Sequence, residues 1–243
     1  MEISAKDISF GYEETQPYLF NDLCLKISSP GFYSLFGFSG CGKSTLARLL
    51  AGLLKPQKGF VIKKGITNVL LCYNTERLPG WVSVGEHLDR AVSPKSSKKD
   101  LRYFISELGL SSVVDQKFFR LSMGQKNRAN LARYLVQDFD MLICDEVLAN
   151  VDEPSRNHIL SLIKYRFGHH AILFYISHNV EEVCFFSKKI FVIPTGKETV
   201  EDLIEIDGLD GRDKKKEKGR QEILHETILK VLKAASYAYG QEI

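Results

Sequence analysis

One tryptophan, seven prolines and five cysteines are all that this 243-residue chain has of three residue types that constrain a fold strongly, and each scarcity removes a class. With so few prolines and 18 glycines lacking any fixed period, the chain is neither collagen-like nor low-complexity. The cysteines (Cys24, Cys41, Cys72, Cys144, Cys184) are odd in number, sit in apolar stretches and form no CxxC pair. Neither a disulfide framework nor a zinc site is therefore expected. No apolar run approaches the ~20 residues that span a bilayer, and Met1-Glu2-Ile3 opens on alternation and not on a signal segment, so the expected location is cytosolic. Charge of one sign is also missing. The net charge is +3, and residues 212–220 (RDKKKEKGR), with six bases and two acids, exceed that by themselves. No general basic field remains, and no nucleic-acid partner is expected.

What is present is a globular composition, 44% hydrophobic and 26% charged, long enough for one large domain. Residues 2–10 and 23–28 alternate apolar and polar, the pattern of half-buried antiparallel strands. Residues 32–36, 141–144 and 171–176 are continuous apolar runs, as parallel strands covered on both faces require. Helical spacing appears at Leu46, Leu49, Leu50, Leu53 and Leu54, at Leu101, Phe104, Ile105 and Leu108, and at Ile159, Leu162, Ile163 and Phe167. Strands alternating with helices predict an α/β sheet. Residues 75–137 are helical in pattern, between an edge-like strand at 69–73 and a central one at Met141, and read as an inserted subdomain. This divides the chain into a main domain, 1–200, and a tail, 201–243, of charged linker and amphipathic helix over 223–232.

Gly37-Phe38-Ser39-Gly40-Cys41-Gly42-Lys43-Ser44 matches the phosphate-binding pattern GxxxxGK[ST] between a predicted strand and a predicted helix. Glycines let the backbone wrap a phosphate so that successive N–H groups and the helix N-terminus face its charge. Lys43 adds a compact cation for the outer phosphates, and Ser44 a hydroxyl for Mg²⁺. Downstream, the apolar run 141–144 delivers Asp145 and Glu146 to the C-terminal edge of the sheet, where ligands of α/β folds gather. Asp145 is the candidate for the magnesium's shell, and Glu146 for orienting a water against the γ-phosphate.

Leu121-Ser122-Met123-Gly124-Gln125, ahead of an Ala- and Leu-rich helix, resembles the LSGGQ signature of ABC-transporter ATPases. A serine hydroxyl and a glycine backbone at a helix N-terminus make a second anion cradle. Order along the chain supports the likeness, which covers about residues 3–196. The resemblance implies a P-loop NTPase of the ABC-ATPase fold: a mixed sheet core, an N-terminal antiparallel part and an inserted helical subdomain. It implies that Tyr12 is the aromatic platform for adenine, that Thr45 joins the phosphate loop, and that Asp152, in Ala149-Asn150-Val151-Asp152, senses the nucleotide across a dimer. Ser177-His178 resembles the switch histidine beside the γ-phosphate. Residues 78–84 (LPGWVSV) and the tail from Glu205 are similar to the importer branch for nitrate, sulfonate and taurine.

Three positions depart from the family pattern. Asn74 stands where the Q-loop glutamine is usual, which withdraws the amide by about one carbon–carbon bond from magnesium or the attacking water. Met123 replaces the first signature glycine, and Val147 a common proline. The implied machine is a homodimer, or a heterodimer with a similar ATPase, that sandwiches two ATP and Mg²⁺ between the phosphate loop of one subunit and Ser122, Gly124 and Gln125 of the other. It would work through separate transmembrane permease subunits, docked near Leu78 and Trp81 on the inner face of the membrane, with an extracytoplasmic substrate-binding protein. The alternative is a soluble ABC-type ATPase acting in repair, translation or cofactor assembly.

Overall fold

A computed structural model describes residues 1–13, 17–73, 78–94, 98–194, 199–211 and 217–236. Strands β1 (Glu2–Phe10) and β2 (Phe20–Ile27) pair antiparallel. Their alternate residues Ile3, Ala5, Ile8, Leu23, Leu25 and Ile27 are buried, as the alternation required. A strand the pattern did not reveal, β4 (Lys58–Lys64), pairs antiparallel with β1 on its free side. Its three lysines mask the alternation, and lysine on an edge strand discourages pairing with another chain.

The second sheet is ordered β5 (Val69–Tyr73), β6 (Met141–Asp145), β7 (Ile172–Ile176), β3 (Gly31–Phe36), β8 (Lys189–Val192) and β9 (Ile204–Asp207). All neighbours are parallel except β8 and β9. The three continuous apolar runs are the internal strands β6, β7 and β3, and β5 is an edge. Helix α1 (Lys43–Ala51) leaves β3 through a six-residue turn and buries Leu46, Ala47, Leu49 and Leu50. It stops at Gly52, whose left-handed backbone (φ 84°) turns its N–H back to the carbonyls of Arg48 and Leu49. The expected helical positions Leu53 and Leu54 thus fall outside the helix, and Leu53 is exposed.

Within 75–137 the described elements are α2 (Val84–Ala91), α3 (Lys98–Glu107), two short 3₁₀ turns and α4 (Met123–Leu135). Phe104, Leu108, Leu121 and Leu131 of this part share one core with Cys72, Leu142 and Tyr175 of the sheet. Helices α5 (Glu153–Phe167) and α6 (Val180–Phe186) complete the sheet's cover. The last helix, α7 (Glu217–Ala235), is docked: Val231 and Ala235 are buried with Phe36, Val183, Cys184 and Val192. Inside the stretch expected as linker, Ile204–Asp207 is β9, paired with β8, and its Ile204 and Ile206 pack against the same core as Leu224 and Ile228 of α7. Two isoleucines between acids are too short a pattern to read in advance. Among the described residues no helix is long and apolar enough to cross a membrane.

Candidate functional site

The turn from β3 to α1 is a cradle built around one buried cation. Lys43 is 7% exposed, and its Nζ donates to the carbonyls of Gly37 at 2.8 Å and Phe38 at 2.9 Å. The loop is therefore wrapped on the ammonium in advance. Space explains two of the glycines: a Cβ on Gly37 would lie 2.6 Å from Cys41 Sγ, and Gly42 has φ 98° with the Phe20 ring 2.9 Å from its Cβ position. Ser39 and Gly40 are exposed at the turn's tip, and nothing lies within 4 Å of a Cβ on Gly40, so this side is open. The first turn of α1 holds no acidic residue to compete for an anion. Burial pushes the Cys41 thiol up, against a smaller pull from Lys43. Tyr12, 67% exposed, lies edge-on to Phe10 and shares a 2.9 Å hydrogen bond between its hydroxyl and Thr45 Oγ1.

Across the cradle, β6 ends at Asp145. Burial holds its carboxyl above the usual carboxylate range, the Ser44 hydroxyl bonded to it pulls down, Glu146 pushes up and Lys43 pulls down. Glu146 takes a left-handed backbone (φ 51°), rare for glutamate, with its N–H on Ile176 O at 3.0 Å. That turn sets Glu146 Oε1 3.6 Å from His178 Nδ1, at the end of the neighbouring strand β7. Residues read from three separate motifs thus meet: Lys43 and Ser44, Asp145 and Glu146, and His178.

The residues fit the expected cofactors. Among the described residues no cluster of three or more His, Cys, Asp or Glu is placed to hold a metal. Ser44 and Asp145 instead offer two oxygens, the number that magnesium carrying phosphates and water takes from protein.

The signature forms the start of α4. Ser122 is its N-cap, with its Oγ accepting from Gln125 N–H and the Gln125 side chain accepting from Ser122 N–H at 2.9 Å. Met123 is exposed and does not obstruct the helix end from within. Gly124 lies against the loop before α5: a Cβ there would be 2.6 Å from Asn150 O. Asp152 caps α5, accepting from Ser155 N–H at 3.0 Å, and this bond lowers its carboxyl. Val147, in place of a common proline, is buried. Asn74 lies outside the described residues. The carbonyl before it, Tyr73 O, is held by Asn130 Nδ2 at 3.2 Å, a contact that sequence reasoning missed. Its one signal was an asparagine in a run of small and apolar residues, Ala129, Leu131 and Ala132, of a helical segment.

A buried lysine inside a glycine turn, facing a strand-end carboxylate bonded to the next serine, is the arrangement of the P-loop class of α/β folds. Residues 20–149 match the family model described as ABC transporter, and the chain belongs to that family. It is 33% identical over 183 residues to an aliphatic sulfonates import ATP-binding protein of Burkholderia thailandensis, covering 72% of this chain and 54% of that protein. It is 30% identical over 221 residues to an energy-coupling factor transporter ATP-binding protein of Caldanaerobacter subterraneus subsp. tengcongensis, covering 81% of this chain and 77% of that one. The chain spans about half the length of the sulfonate-import relatives. A bacterial Atm1-family ABC exporter with ATP bound superposes with TM-score 0.75 at 20% identity, over 94% of this chain and 42% of that chain. An ABC transporter in an inward-facing conformation gives TM-score 0.67 at 19% identity, over 84% and 82%. The fold is the α/β ABC-ATPase fold.

Proposed function

We propose that this chain is the ATP-binding and ATP-hydrolysing subunit of an ABC importer, at work on the cytoplasmic face of a membrane through separate permease subunits. The observation that carries the reading is the convergence of Lys43, Ser44 and Asp145 with the Glu146–His178 pair. Residues 37–45 hold the triphosphate, with Tyr12 beside the base. Magnesium, when bound by Ser44, Asp145 and Asn74, supplies positive charge to the phosphate oxygens. Glu146 orients a water for in-line attack, and His178 holds that carboxylate in place. Ser122, Gly124 and Gln125 form the second cradle, which closes on the nucleotide of a partner copy, with Asp152 reporting across the dimer. ATP is then part of the interface, so binding favours closure by mass action and loss of the γ-phosphate favours opening.

The permease fits an exposed aromatic patch. Trp81 is 74% and Phe119 57% exposed, and Phe119 N–H donates to Gly80 O at 3.1 Å, which sets the two rings' loops together. An apolar surface of this kind suits a docked helix. Import rests on the relatives named as sulfonates import proteins, and the extracytoplasmic binding protein on the resemblance to that importer branch. The test is Glu146→Gln protein with excess ATP and Mg²⁺, sized by light scattering with and without co-purified permease. A stable dimer is expected. Tight ATP binding without dimer formation in either preparation would refute the ATP sandwich, and turnover retained by Glu146→Gln would refute its assigned role.

A further inference from the structure

We propose that Arg156 and Glu182 are a positioning pair that ties the loop ending at Asp152 to the loop carrying His178. The proposal rests on the reading of Glu146 and His178 given above. Glu182, on α6, is 4% exposed, and Arg156, on α5, has a side chain 16% exposed. Arg156 Nε stands 2.7 Å from Glu182 Oε1, although among the described residues neither atom has an aligned hydrogen bond, so the approach is charge to charge. The other carboxylate oxygen accepts from Tyr175 OH at 2.8 Å and Ser177 Oγ at 3.4 Å.

Such a pair is costly to bury, and well-packed apolar residues would serve stability as well. Its geometry points to another use. Both neighbours of His178 are tied to Glu182: Ser177 through its hydroxyl, and Asn179 through its side-chain oxygen, which accepts from Glu182 N–H at 3.2 Å. Ser177 Oγ also accepts from Asn179 N–H at 3.0 Å. The His178 ring is 66% exposed and approaches Glu146 at 3.6 Å, so the backbone on either side of it decides where the ring stands. At the other end, Arg156 sits one turn after the cap Asp152, with its N–H on Asp152 O at 2.9 Å. The same loop presses Asn150 O against the signature at Gly124. Contacts therefore run within one chain from the signature, through α5 and the ion pair, to the histidine beside Glu146. Displacement of the Asp152 loop by a partner subunit would reach His178 through Arg156.

The test compares Arg156→Ala, Arg156→Lys, Glu182→Gln and the apolar pair Arg156→Met/Glu182→Leu, each also in a His178→Ala background. Binding of a fluorescent ATP analogue should stay within about twofold of wild type while kcat falls at least tenfold, with partial recovery in Arg156→Lys. The apolar pair should melt near wild type without recovering turnover. In the His178→Ala background, Arg156→Ala should add little further loss, because it acts through that residue. Hydrogen exchange should quicken at 177–179 in Arg156→Ala. Full turnover in the apolar pair, independent losses in the His178→Ala background, or unchanged exchange at 177–179 would overturn the proposal. A wild type without turnover would refute the functional reading, while the exchange experiment still judges the mechanical tie.

Discussion

Substituting Gly124 by alanine sets two effects of known sign against each other. Inside a helix, alanine is favoured over glycine by roughly 1 kcal/mol, and Gly124 is the second residue of α4. The added Cβ, however, would sit 2.6 Å from Asn150 O. A close carbon–oxygen contact is about 3.3 Å, so the loop or the helix end must retreat by about 0.7 Å. Overpacking of that kind costs ~1–3 kcal/mol, which outweighs the helix gain. Subtracting the helix gain leaves a net loss of up to about 2 kcal/mol, which lowers the melting temperature of a chain this size by up to roughly 8 °C. The displacement falls on the loop ending at Asp152, and a misplacement near 1 Å can cost on the order of a hundredfold in rate. Scanning fluorimetry and ATP turnover should therefore both fall for Gly124→Ala, turnover by at least tenfold. Met123→Ala, one residue earlier and exposed, should melt within about 1 °C of wild type. If Gly124→Ala melts at or above wild type, helix propensity has decided the outcome and the contact with Asn150 carries no weight.

Two further outcomes follow from burial. Asp145 has a folded pKa raised above its unfolded value, chiefly by desolvation. Its charge therefore destabilises the native chain once the pH is above both values, and this cost disappears below the unfolded value near 4. Asp145→Asn should melt higher than wild type at pH 8 without nucleotide, with the difference shrinking as the pH is lowered, and on the proposed function should gain no stabilisation from Mg²⁺ and ATP. An equal or lower melting temperature at pH 8 would refute this. Among the thiols, Cys24 is exposed, burial raises Cys41, and Cys144 and Cys184 are pushed up to about 12. Brief alkylation at pH 7.5, read by peptide mass spectrometry, should label Cys24 first and Cys41 slowly, leaving Cys144 and Cys184 until the protein unfolds. Equal rates at Cys24 and Cys41 would show that the phosphate loop does not shield its thiol.

The glycine turn between β3 and α1 was legible in the residues themselves, because glycines, Lys43 and the flanking strand and helix act within one short segment and local backbone freedom decides the turn. The internal strands were legible for a similar reason: a run covered on both faces must be apolar throughout, as β3, β6 and β7 are. Helix α1 shows where periodicity misleads, since Leu53 keeps the spacing but Gly52 has already turned the chain out of the helix. What the tertiary structure alone decided is which distant groups share a volume: Asn150 O at Gly124, Tyr12 on Thr45, Arg156 on Glu182, and α7 over β9. These contacts have no period and no fixed spacing, because they arise where separately folded segments are brought together. The exposed direction of Met123 belongs with them, since a helix position acquires an inside and an outside only when the rest of the chain has packed.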